Sequence, residues 1–125
     1  MTYTLLNSPT PKFVRIAGAN ATLLNGCTTT ASGSITYVKY GRLVIIDVYE
    51  LSVPSNIDGG AELVGGFPAP LSGTQPLVST VSSSSTYYGL IAGIKSNGAL
   101  ARRWGPNPAG SNGSYKFSLA YIAAS

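Results

Sequence analysis

Residue types that commonly carry catalysis are scarce in this chain. Asp47, Glu50, Asp58 and Glu62 are its only acids, Cys27 is its only cysteine, and it has no histidine. Without histidine, no Ser-His-Asp or Cys-His nucleophile and no histidine-bearing metal centre can be assembled. Glycoside hydrolysis would need two of the four carboxylates working as a pair. Asp47 and Glu50 stand three apart in a stretch that reads as a strand, and odd spacing sends them to opposite faces of a sheet. Asp58 and Glu62 bracket Gly59-Gly60 and would approach across a turn, yet such a turn is also where solvated loop acids ordinarily sit. Gly59-Gly60 and Gly65-Gly66 lack the following helix whose N-terminal amides a phosphate-binding loop requires. Cys27 reads as a small buried hydrophobe, since nothing near it in sequence would lower its pKa. The expectation is a protein that binds or assembles, with no catalytic residue, metal or cofactor.

One local combination does offer ligand chemistry. Arg102-Arg103-Trp104 is followed by Gly105-Pro106-Asn107, at the exit of a hairpin and beside a long loop. An indole is an apolar plate for the C–H face of a sugar, and guanidinium groups hydrogen-bond hydroxyls, carboxylates or phosphates. Trp104, Arg102, Arg103 and Asn107 are therefore candidate saccharide contacts. Strand alternation puts Arg102 and Trp104 on one face and Arg103 on the other. Tyr87 and Tyr88 are further candidates, only one of which can face outward on a strand, and Asp58 is the loop acid that would join them. Each of these aromatics also fits a core or interface role.

Charge narrows the partners. The net charge is +4, charged residues make up only 10% of the chain, and its eight Lys and Arg are scattered and form no run. A nucleic-acid site needs a basic patch on a recognisable motif, and none is present. A surface built from Ser, Thr, Asn, Gly and Tyr suits a protein buried in an assembly or facing an anionic glycan. No apolar run is long enough to span a bilayer, and residues 1–11 lack the basic and apolar regions of a secretion signal. The sequence is that of a soluble protein made in the cytoplasm.

The elements that would position these residues are strands. Residues 34–51 are dense in β-branched and aromatic types and break only at Gly41-Arg42, which predicts a hairpin. Leu43, Ile45, Asp47, Tyr49 and Leu51 alternate with Val44, Ile46, Val48 and Glu50. Both faces are largely apolar, so both are expected to be covered, by a second sheet or by a neighbouring subunit. Residues 61–67 read as a short strand ending at Phe67-Pro68-Ala69-Pro70, and residues 77–81 as another. Residues 86–104 read as a second hairpin turning tightly at Asn97-Gly98, with positive φ at both turn residues. Residues 114–123 close the domain with Tyr115, Phe117, Leu119 and Tyr121 on one face. Residues 1–33 hold short strands at 3–6, 12–16 and 19–24 and a Thr-rich link over 27–33, and residues 34–123 the main body. At 125 residues this makes one domain, residues 1–125, of all-β class: an antiparallel β-sandwich or jelly-roll-like fold.

The order of these pieces resembles the C-terminal head domains of bacteriophage and prophage tail-fibre, tail-spike and baseplate receptor-binding proteins. The matching residues are the hairpin Ile35-Thr36-Tyr37-Val38-Lys39-Tyr40-Gly41-Arg42-Leu43-Val44-Ile45-Ile46, then Phe67-Pro68-Ala69-Pro70, Gly93-Ile94-Lys95-Ser96-Asn97-Gly98 and Tyr115-Lys116-Phe117-Ser118-Leu119-Ala120-Tyr121-Ile122. The resemblance implies a parallel homotrimer in a virion tail or a prophage-encoded tail-like particle. Its partners would be other tail or baseplate proteins and a bacterial surface saccharide, recognised without catalysis. A purely structural tail component and a small polysaccharide-processing enzyme are the alternatives. No shaft or coiled-coil segment precedes the matching region, which departs from that family's pattern.

Overall fold

The structure is a computed structural model that describes residues 10–17, 22–30, 33–54, 57, 59–71, 77–81, 89–104 and 113–125. Among them are eight strands and no helix: β1 Lys12–Ala17, β2 Ile35–Tyr40, β3 Leu43–Val53, β4 Glu62–Val64, β5 Leu77–Val81, β6 Gly89–Ile94, β7 Leu100–Trp104 and β8 Gly113–Ile122. They form two antiparallel four-stranded sheets, sheet A in the order β1-β2-β3-β8 and sheet B in the order β4-β7-β6-β5. Both sheets contribute to one core, with Ile35, Val44, Ile46 and Val48 from sheet A and Leu63, Val64, Leu90, Ile94 and Leu100 from sheet B.

The expected first hairpin is β2–β3. Gly41 takes φ 62° at its turn, a conformation that glycine adopts without steric cost. In β3, Val44, Ile46 and Val48 are buried while Leu43, Ile45 and Tyr49 are exposed. The alternation is therefore as read, but the second face is uncovered in this chain. Beyond Val48 the register against β8 shifts, so that Leu51 meets Tyr115 and turns into the core. That bulge lets one long strand keep apolar residues inward at both of its ends.

The second hairpin, β6–β7, differs from its expected form. Asn97 does not have positive φ; only Gly98 does, at 86°. Gly98 N donates to Lys95 O and Lys95 N donates to Ala99 O, which makes a three-residue loop whose last residue is left-handed. The Asn97 side chain closes the turn by accepting from Ala99 N at 3.1 Å. Residues 67–71 lie against this loop and against the end of sheet A. Phe67 N donates to Gly98 O, and Phe67 packs edge-on to Tyr37 with ring centroids 6.0 Å apart. Pro70 bridges Ala123 although a proline was expected to stop pairing here. The bridge needs no N–H from Pro70, because Leu71 N bonds Ile122 O and Ala124 N bonds Ala69 O on either side of it.

Upstream, the expected strand at residues 12–16 is β1. Of residues 19–24, positions 19–21 lie outside the described residues, and Leu23 forms an isolated bridge to Val64. Residues 3–6 and 82–88 fall outside the described residues. Cys27 is buried, and burial pushes its thiol up to about 12. Such a thiol is protonated and inert at neutral pH.

A Cβ on Gly98 would lie 2.0 Å from the Phe67 carbonyl oxygen, at a φ that side chains rarely adopt. Gly98→Ala should therefore cost about 2 kcal/mol or more of stability, read from the urea unfolding midpoint. Gly59→Ala, where nothing lies within 4 Å of the added carbon, should change it little.

Candidate functional site

Three of the proposed saccharide contacts fall on β7. Arg102 pairs with Ala92, a core residue of β6, and its side chain is itself buried. Its Nη1 donates to the carbonyl oxygen of Ile57. On the main chain, Arg102 N donates to Ala61 O at 2.9 Å and its carbonyl accepts from Gly60 N at 2.7 Å. A buried guanidinium cannot shed its charge and must find acceptors. Here it fastens the segment from Ile57 to Ala61 against β7. Arg102 is thus a clamp inside the protein, and not a surface contact as its neighbours in sequence suggested.

Arg103 is exposed. The register runs Ala92 opposite Arg102 and then Ile91 opposite Trp104, so Arg103 is the extra residue of a bulge. Bulges break alternation. The shared face expected for Arg102 and Trp104 therefore does not follow from their spacing. Tyr87, Tyr88, Asp58 and Asn107 lie outside the described residues.

The described residues that flank these positions converge. Gly89 begins β6 opposite Val81, the last residue of β5, and Trp104 ends β7 beside Ile91. Gly60 is bonded to Arg102, and Gly113 begins β8 opposite Val53, which ends β3. The connections from β1 to β2, from β3 to β4, from β5 to β6 and from β7 to β8 thus all leave from one end of the two sheets. Arg103 and Trp104 lie at that end, and so do the described residues that flank positions 58, 87–88 and 107. The turns Gly41-Arg42 and Ser96-Gly98 belong to the opposite end.

The three described acids are placed apart. Asp47 Oδ1 accepts from the Ser118 hydroxyl at 3.1 Å, while Glu50 Oε2 accepts from the Thr30 hydroxyl at 3.1 Å. Glu62 Oε1 accepts from Asn97 Nδ2 at 3.0 Å and from Lys95 Nζ at 3.2 Å. These hydrogen bonds, Asn97 foremost and then Lys95, hold its carboxyl below the usual range. A glycosidase acid needs the opposite shift. The three residues tie the β6–β7 turn to β4, a contact across more than thirty positions that nothing in the local sequence signals. Among the described residues no group of three or more His, Cys, Asp or Glu could hold a metal ion, and no helix is long and apolar enough to cross a membrane.

The chain matches no protein-family model and no curated protein.

Arg102→Ala should remove the donor to the Ile57 carbonyl and lower stability by about 2 kcal/mol, the cost of an unsatisfied buried acceptor. Arg103→Ala, at an exposed bulge, should stay within about 0.5 kcal/mol of the parent in the same denaturant titration.

Proposed function

We propose that this domain is a non-catalytic recognition module of a bacteriophage tail or prophage-encoded tail-like particle, built as a β-sandwich and borne in more than one copy. It holds bacterial surface saccharide at the end of the fold from which the connections after β3, β5 and β7 leave. The observation that carries this reading is the convergence of Arg103, Trp104 and the chain flanking residues 58, 87–88 and 107 on that one end. Loops fixed to a rigid two-sheet frame suit shallow contacts to a polymer, and weak contacts gain strength from repetition.

Each residue has a distinct task in this reading. Trp104 supplies the stacking surface and Arg103 the hydrogen-bonding cation, with Tyr87, Tyr88, Asp58 and Asn107 as the surrounding polar and aromatic contacts. Arg102 positions the segment from Ile57 to Ala61 from inside. A purely structural role in the particle is the second reading. It draws on the exposed apolar side of sheet A, which suits packing against other particle components.

Binding of the purified protein to intact bacterial cell walls, or to a glycan array, tests the proposal. Trp104→Ala should weaken that binding by about 1–3 kcal/mol, the scale of a lost aromatic contact, with the unfolding transition unchanged. Absence of binding across walls and array would leave the structural reading in its place. Release of sugars, lost on changing Asp58 or Glu62, would replace both with an enzyme.

A further inference from the structure

The outer side of sheet A is apolar toward the β2–β3 turn and polar toward the loop end. In one row Phe13, Val38, Ile45 and Ala120 lie side by side across β1, β2, β3 and β8, and in the next Tyr40, Leu43 and Ile122 are neighbours. Phe13, Tyr40, Leu43, Ile45 and Ile122 are between 39% and 64% exposed. They leave on the order of 500 Å² of side chain in water, the size at which a patch often marks an interaction site. The row toward the loop end is Arg15, Thr36, Asp47 and Ser118, and Thr36 in it is buried within its own chain. Among the described residues the charged groups on or beside this face are Arg15, Asp47, Glu50 and Lys116; Lys12 and Lys39 fall in the alternate row with Val44, which faces the core. Asp47 is bonded to Ser118, Glu50 to Thr30, and Lys116 Nζ stands 4.7 Å over the Tyr49 ring of its own chain. Arg15 has no ion pair among the described residues.

From this pattern we infer that three copies of this chain turn the outer side of sheet A toward a shared axis parallel to its strands, so that β1 of each copy meets β8 of the next. The inference rests on the preceding reading in taking the domain to work in several copies, and adds which surface joins them and which residues meet. Rotation about such an axis moves no residue along it, so each row stays level with the same row of the next copy. At every joint Phe13, the largest member of its row, therefore lies beside Ala120, the smallest, and fills the room it leaves. In the next row Arg15 lies beside Ser118 of the neighbour, with Asp47 one strand further on. Strand spacing then sets the Arg15 and Asp47 backbones roughly 8–10 Å apart, a span the two extended side chains bridge together. Arg15 thus gains the carboxylate that Ser118 already holds in place, once at each joint. Lys116 stands a further row on, past the point where β1 turns inward at Ile16 and Ala17, so the joint brings it no cation from β1.

The width of the sheet and the placement of its charges select three copies. Four strands with room for the joints make each side of a closed prism about 24–28 Å wide, which puts the sheets roughly 7–8 Å from the axis for three copies and about 12–14 Å for four. Val38, Tyr40, Leu43 and Ile45, on the middle strands β2 and β3, close the shorter gap; the longer one would leave an open channel lined by apolar side chains. Two copies face to face would shut Arg15 and Lys116 of both inside a layer about 10 Å thick. In the three-sided arrangement these cations sit on the outermost strands, β1 and β8, at corners that water reaches. Three is also the number that the family resemblance implies.

Sedimentation equilibrium of the full chain at micromolar concentration should give a mass of three chains. Ile45→Asp, nearest the axis, should lower it to one chain, and Phe13→Ser should raise the concentration of half-dissociation about tenfold or more. Arg15→Asp and Asp47→Arg should each weaken assembly about tenfold, the double exchange should restore it to within about threefold, and Lys116→Ala should leave it unchanged. Paired cysteines test the geometry without disturbing the core. Positions 13 and 120 lie about 14 Å apart within one chain, too far for a disulfide, so oxidising the Phe13→Cys/Ala120→Cys variant should link chains into covalent trimers. A mass of one, two or four chains overturns the inference, as do covalent dimers without trimers. So does a three-chain mass that neither Ile45→Asp nor the charge exchange alters. Loss of saccharide binding by a protein that still forms covalent trimers would unseat the recognition reading alone, and wall binding by a protein of one-chain mass would unseat this inference alone.

Discussion

Val44, Ile46 and Val48, from the middle of β3, lie in the core to which both sheets contribute, where their exposure is 1% or less. β2 and β8 both hydrogen-bond to this strand, so its inward residues fix where two neighbours must lie. Sheet B meets them with Leu63, Val64, Leu90, Ile94 and Leu100. Each such side chain contributes about 1.5–3 kcal/mol by leaving water. With no disulfide available, this apolar contact between the sheets is what the turns and the loop end rest on.

The two ends of the fold are finished differently. At one end the polar and backbone contacts are dense. The Tyr121 hydroxyl donates to Pro68 O at 2.7 Å, Arg42 Nε donates to Ala123 O at 3.0 Å, and Gly98 meets Phe67 across a gap that admits no side chain. Burial and the nearby Tyr37 push the Tyr121 hydroxyl's pKa up, so it stays a donor across the ordinary pH range. At the other end, the Arg102 clamp holds the segment from Ile57 to Ala61 against β7, and Thr28 and Thr29 hold the β1–β2 connection to Ser52 and Glu50 of β3.

Much of the strand content could be read from the sequence, because period-2 alternation and turn residues are local. The β2–β3 hairpin, β5, and Tyr115, Leu119 and Tyr121 as inward residues of β8 all follow from such patterns. What escaped was set by distant partners. The bulges after Val48 and at Arg103 exist because β8 and β6 impose their own spacing, and one extra residue moves every later side chain to the other face. Arg102 looked like a ligand contact because its neighbours are Arg103 and Trp104. Its partner, the Ile57 carbonyl, is 45 residues away. The apolar outer side of β3 was visible as an alternation, but which side would be left open depended on where sheet B lay.

The contrast between the ends bears on how such a domain can change over generations. Substitutions at Gly98, Phe67 or the inward positions of β3 act on folding itself, so few are tolerable. The connections after β3, β5 and β7 at the other end branch from strand termini whose pairing is already secured by backbone hydrogen bonds. Insertions and replacements there can accumulate with little penalty to the frame, provided Arg102 keeps its grip on the segment beside it. Sensitivity to change and tolerance of it are thereby expected at opposite poles of the fold.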